Sequence, residues 1–91
     1  MKQTVYKYPL RITDIQKVSL PKGAKILCIK NQKEVICLWA LVNPDETEFE
    51  DAVLRCVGTG HPIEEPIEEY IDSVLVYGGS LVFHFFKLPT L

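Results

Sequence analysis

Apolar and polar positions along this chain repeat mainly with a period of two, the spacing of a half-buried strand. The first strand signal is Val5-Tyr6-Lys7-Tyr8, stopped by Pro9. Ile15, Val18 and Leu20 lead into Pro21-Lys22-Gly23, a turn with Pro second and Gly fourth. Residues 24–29 and Val35–Val42 are rich in β-branched and apolar side chains, and the polar break at 31–34 between them predicts a hairpin. No Asn-Gly or Asp-Gly pins its register. Residues 48–57 predict a further strand. A helix over 46–57 is the alternative, with Phe49, Val53 and Leu54 at compatible spacing, but Gly58 and Gly60 follow closely on a β-branched end. Residues 70–77 and 80–88 bracket Gly78-Gly79, the strongest hairpin signal in the chain, because two glycines accept the positive φ of a tight turn. About seven short strands at turn spacings of roughly 8–12 residues predict an all-β domain, a small antiparallel β-sandwich or barrel with at most one short helix.

Two strands break the alternation. Val35–Val42 is apolar on both faces, and 81–88 carries Leu81, Phe83 and Phe85 on one face and Val82, His84, Phe86 and Leu88 on the other. Strands apolar on both sides need cover on both sides, and a two-layer domain has one interior. At about 25 cal/mol per Å², a few hundred Å² of uncovered patch gives several kcal/mol of drive to associate. The expectation is a homo-oligomer. The plainer alternative is that loops or a short helix of the same chain cover the second face.

Ninety-one residues make one domain, spanning 1–91, with a thin core. At 47% apolar and 24% charged, the composition excludes a disordered or low-complexity chain. The apolar run ending at Val42 is far short of the about 20 residues of a membrane helix. The N-terminus, Met1-Lys2-Gln3-Thr4-Val5-Tyr6, shows no signal-peptide pattern, and with it the odd count of cysteines (Cys28, Cys37, Cys56) points to reduced thiols in a cytosol. Residues 1–33 hold eight bases and one acid, net +7; residues 34–91 hold two bases and eleven acids, net −9; together they give the chain's −2. A chain this small folds its halves together, so internal pairing is the first reading of that asymmetry, and a basic patch facing a small anion is the second. Duplex nucleic acid is a poor partner, because the acidic stretches at 45–51 and 64–69 repel phosphates. No membrane partner is expected.

Val57-Gly58-Thr59-Gly60-His61-Pro62 is the one stretch that resembles a functional motif. Two glycines around a threonine can aim backbone N–H groups at one point, with Thr59 and His61 as side-chain donors. The stretch lacks the GxGxxG or lysine-serine continuation of known phosphate loops, and a plain tight turn capped by His61 fits equally well. Arg55, Arg11 and Lys25 are candidate counter-charges; Trp39 and His84 are candidate stacking groups, although a lone tryptophan on a strand is more often core. Cys56 with His61 is the nearest approach to a nucleophile–base pair, and a turn separates them. With no CxxC, no metal site and no cofactor is expected.

The chain resembles a family of small proteins of unknown function encoded by phages and prophages. The resemblance rests on Lys7-Tyr8-Pro9-Leu10, on Leu20-Pro21-Lys22-Gly23-Ala24-Lys25-Ile26-Leu27, on Cys37-Leu38-Trp39-Ala40-Leu41-Val42, on the 57–62 stretch, on Tyr70-Ile71 and on Leu81-Val82-Phe83-His84. Residues 31–34 depart from the Asn-Gly turn of similar members. The resemblance implies no activity and no catalytic residues. It implies an accessory gene product in the host bacterial cytosol.

Three functions are then compatible with the residues. The leading one is a non-enzymatic homo-oligomer that sequesters a small anionic, nucleotide-type ligand, in the manner of an anti-defence signal sponge. Gly58, Thr59, Gly60, His61, Arg55, Arg11, Lys25, Trp39 and His84 are its candidate ligand-binding residues. The second is a structural or protein-binding accessory, such as a virion component or an inhibitor of a host protein, docking through its spare apolar strand or its acidic loop. A small hydrolase using His61 and Cys56 is the weakest.

Overall fold

The computed structural model describes residues 2–90. Seven strands run in chain order: β1 (Thr4–Pro9), β2 (Ile15–Pro21), β3 (Lys25–Gln32), β4 (Val35–Val42), β5 (Phe49–Gly58), β6 (Glu69–Val76) and β7 (Leu81–Leu88). The sole helical segment among the described residues is a 3₁₀ turn at Tyr77–Gly79. The expected all-β class holds, and residues 49–58 are a strand rather than a helix.

All pairings are antiparallel, in a three-stranded sheet of order β1-β4-β3 and a four-stranded sheet of order β2-β5-β7-β6. Their inner faces pack together as a sandwich. From β3 and β4 come Ile29, Ile36, Leu38, Ala40 and Val42; from the other sheet come Val18, Leu54, Cys56, Val74 and Phe85. Leu38, Leu54 and Phe85 are fully buried. The Cα extents of 41 × 32 × 16 Å suit two layers about 10 Å apart. Alternation then sends Trp39 and His84 outward on opposite sides of the sandwich.

Turn chemistry sets the registers. Gln32 pairs with Val35, so β3 and β4 are joined by a two-residue turn in which Lys33 (φ 52°) and Glu34 (φ 67°) both adopt left-handed backbone. That is the geometry of the hairpin turn that Asn-Gly would supply, built here from residues that adopt it at a cost. At the other hairpin Val76 pairs with Leu81, and the loop is four residues long, one wider on each side than the two glycines. Tyr77 (φ 52°) joins Gly78 and Gly79 in positive φ.

The second apolar faces are partly covered by the chain itself. On the outside of β4, Cys37 is only 2% exposed. The Lys7 Nζ, on β1, crosses that strand to donate to Gln32 Oε1 on β3 at 2.9 Å. Val35 at 50% and, on the other sheet, Phe49 at 60% and Tyr70 at 53% remain open. The charge asymmetry is also partly closed internally. Lys2–Asp45 (3.9 Å), Lys22–Glu48 (3.3 Å) and Lys30–Asp72 (3.2 Å) each join a base of the first third to an acid of the remainder, whereas Arg55–Asp14 (3.7 Å) pairs the one acid of the first third with a base of the remainder.

Candidate functional site

β5 ends at Gly58, and the chain reverses there because the His61 N–H donates to the Gly58 carbonyl at 3.1 Å. Gly60 takes φ +88°, the third-position geometry that makes glycine the natural residue in such a turn. The exposed His61 ring lies against Gly58, where an added Cβ would sit 3.6 Å from the ring. Pairing of Val57 with His84 brings β7 alongside, and Thr59 Oγ1 and His84 Nε2 are 2.7 Å apart. A tight turn and a cross-strand antiparallel pair thus gather Thr59, His61 and His84 at one corner.

Arg55 anchors the same corner from β5. Its Nε donates to Glu65 Oε1 at 2.8 Å, its Nη1 to the Cys56 carbonyl at 2.6 Å and the Asp14 carbonyl at 3.5 Å, and its Nη2 to the Pro62 carbonyl at 3.5 Å. Its side chain is 12% exposed, with the Asp14 carboxylate 3.7 Å away. The hydrogen bond to Glu65 raises the Arg55 pKa, and the same bond holds the Glu65 carboxyl below its usual range. The guanidinium therefore ties the 62–65 segment and the β1–β2 connection to β5. Two carboxylates balance its charge.

A cleft of about 220 Å³ opens beside this corner, lined by Ile12, Asp14, Arg55, Gly58, His61 and Phe83 among others. Cys56 also borders it, but burial pushes that thiol up to about 11. A thiol so raised is a poor source of the thiolate that nucleophilic catalysis uses.

Of the nine residues singled out in the sequence, six lie at this end of the sheet, but not in one cluster: Thr59 and His84 meet on the outer face, Arg55, Gly58 and His61 line the cleft, and Gly60 sits in the turn between. Three do not. Trp39 faces outward from the other sheet, paired with Lys7 and Cys28. Lys25 opens β3 and lines a cavity with Pro21 and Glu50, near the start of β5. Nine residues of strand, about 30 Å, separate that end from Gly58. Arg11 is exposed on the β1–β2 connection, where its backbone N–H donates to Gln16 Oε1 (3.2 Å) and its carbonyl accepts from Gln16 Nε2 (2.7 Å). The parts that sequence reading missed are Glu65 and Asp14 as partners of Arg55. In sequence the run at 64–69 is an acidic stretch, and nothing in its spacing marks Glu65 apart from its neighbours. Among the described residues, no three His, Cys, Asp or Glu side chains are grouped so as to hold a metal ion.

Fold and corner together define a two-layer antiparallel β-sandwich with a polar site at one end of its four-stranded sheet. Residues 1–90 match a family described as a domain of unknown function (DUF7352), and the chain belongs to that family. No curated protein and no solved structure matches the chain.

Proposed function

We propose that this is a small non-enzymatic binding protein, working as an assembly of its own copies and sequestering a small anionic ligand of the nucleotide type. The setting proposed for it is the bacterial cytosol, as the product of a phage or prophage gene. The observation that carries the reading is the chemistry around His84. Thr59 and His84 form a polar point, with Ser73 beside it, on a partly open stretch of outer face that also carries the apolar Val57, Phe86 and Tyr70. Phe86 follows on the same face, edge-on to Tyr70 with centroids 5.5 Å apart. An aromatic and imidazole surface suits a base, and the hydroxyl and imidazole groups suit phosphate oxygens. Arg55 joins such a site once the ligand's own oxygens replace Glu65.

Thermal denaturation with a panel of cyclic and linear nucleotides tests this. A ligand raises the melting temperature of the wild type progressively with its concentration, and His84→Ala abolishes the rise. Absence of any shift across the panel at millimolar concentration removes the ligand.

A second reading has its own observation. Arg55 is already balanced by Asp14 and Glu65, and the His61 N–H is used within its turn. A corner so satisfied fits a protein-binding accessory, in which the open apolar face meets another protein. Pull-down of a defined host protein by the wild type, lost on Phe86→Asp, favours that reading; a nucleotide-dependent shift favours the first.

A further inference from the structure

β2 is the end strand of its sheet, and its hydrogen-bonding pattern shows which of its groups are free. The Cys56 N–H donates to the Asp14 carbonyl at 3.0 Å, and the Lys22 N–H to the Glu48 carbonyl at 2.9 Å. With Gln16, Val18 and Leu20 opposite Leu54, Ala52 and Glu50, the even-numbered residues turn their backbone groups towards β5. Lys17 and Ser19 turn theirs the other way, towards the open side of the sandwich. On the outer face Ser19 lies beside Asp51. Neither Lys17 nor Asp51 has an ion-pair partner among the described residues.

We infer that β2 pairs antiparallel with β2 of a second copy, about a twofold axis at Val18, joining two four-stranded sheets into one of eight. Lys17 then faces the partner's Ser19 and Ser19 the partner's Lys17, and the two residues exchange backbone hydrogen bonds. The partner's Asp51 stands one strand further on, about 10 Å from Lys17 across two inter-strand spacings. The intervening serine is small, and the lysine stem spans most of that distance, so the ammonium reaches the carboxylate. Symmetry makes this pair twice. Of the neighbouring registers, the one centred on Lys17 sets two lysines directly opposite and is disfavoured by their repulsion, and the one centred on Ser19 sets Lys17 against the partner's Pro21, which has no N–H to donate and is not next to the partner's Asp51. Charge therefore selects both the occupant and the register. β1, the other open edge, carries Pro9 and has its Lys7 spent across β4.

This interface rests on the assembly proposed above, and the experiment separates the two. Sedimentation of the full chain over micromolar concentrations is expected to give twice the monomer mass. Ser19→Pro removes an N–H that β5 does not use, and Lys17→Glu places like charges across the contact. Each is expected to weaken association by at least about tenfold, and Lys17→Glu combined with Asp51→Lys restores it. Circular dichroism of the dilute variants checks that the monomer fold is kept. Assembly that persists unchanged in all the variants overturns this interface and leaves the assembly itself standing. A wild type that stays at monomer mass at about 100 µM overturns both, since a contact that weak does not govern function at cellular concentrations.

Discussion

Along one side of the sandwich, β3 and β6 lie against each other without sharing a ladder; along the other, β1 and β2 are joined by the 10–14 connection. The first side is sealed by side chains. Asp72 Oδ2 accepts the Ile29 N–H at 3.1 Å and pairs with Lys30 at 3.2 Å, just past the β3 bulge between Ile26 and Cys28. Asn31 Nδ2 donates to the Leu75 carbonyl at 3.0 Å. The second side has one comparable tie, Gln16 clasping both backbone groups of Arg11. An edge strand is a template for further pairing unless something blocks it. Here a carboxylate and an amide block one side, while the other keeps a lysine and a serine with free backbone. The two sides thus differ in kind: one closes the fold, and the other is available for association.

The largest effect tests the sealed side. Asp72→Ala leaves the Ile29 N–H and the Lys30 ammonium without their acceptor and removes the Ser73 N–H contact of 2.9 Å. Urea denaturation is expected to show a loss of about 2–3 kcal/mol. Asp72→Asn keeps one oxygen for the Ile29 N–H but loses the charge and the second acceptor, the one that takes the Ser73 N–H, so a smaller loss of about 1–2 kcal/mol is expected. Equal losses for the two variants would show that the ion pair, not the capped edge, holds this side. On the open side, Gln16→Ala breaks the two bonds to Arg11, and about 1–2 kcal/mol is expected, mostly from desolvated backbone left unpaired. If Gln16→Ala costs as much as Asp72→Ala, the asymmetry between the sides is not energetic.

The polar corner adds a pH test at the end of the connection that crosses the open side. Arg55 depresses the Glu65 carboxyl, so the folded state favours the charged form. Stability from this contact is fully present above the unfolded carboxyl pKa and is lost as pH falls through the depressed folded value. Glu65→Gln is therefore expected to remove part of the acid dependence of unfolding while leaving stability above neutrality less changed than does Arg55→Ala. Hydrogen exchange of the 62–68 segment at neutral pH should quicken in both variants. An unaltered acid limb in Glu65→Gln would place the acid sensitivity elsewhere.

What the sequence disclosed, and what it withheld, follows the same division between local and distant causes. Strand positions were legible because the period of two and the turn residues are local signals. Which strands are neighbours was not legible. Alternation identifies a face, and β5 reads the same whether it pairs with β2 and β7 or with β4. The corner suffered from the same limit. Thr59 and His61 lie two residues apart in the chain and were found; His84 was named for its place among phenylalanines, and its contact with Thr59 exists only because β5 and β7 pair at Val57 and His84. Trp39, Lys25 and Arg11 were grouped with them on chemistry alone, and the sheet order puts them elsewhere. Arg55 read as a free cation because its partners are supplied by a connection 41 residues upstream, at Asp14, and a loop ten residues downstream, at Glu65.

The smallest effect concerns the turn that leads into the sealed side's β3–β4 hairpin. Lys33 and Glu34 hold φ of 52° and 67°, a region that disfavours side chains by about 1–2 kcal/mol each. Glycine relieves that strain at position 34 but brings about 0.5–1 kcal/mol of added unfolded-chain entropy. Glu34→Gly is therefore expected to stabilise the protein by a few tenths to about 1 kcal/mol, with Lys33→Asn/Glu34→Gly slightly better, since that pair is the preferred two-residue hairpin turn. The gain should appear as a higher urea midpoint with an unchanged slope, the sign of a stability change without altered compactness. Because β3 also carries the Asp72 contact, the Ile29 amide should exchange more slowly in the variant, while the amides of Lys17 and Ser19, measured on dilute protein, should not change. Protection rising equally on both sides would mean that the hairpin and the open edge unfold as one unit, and the division between the two sides would then be geometric only.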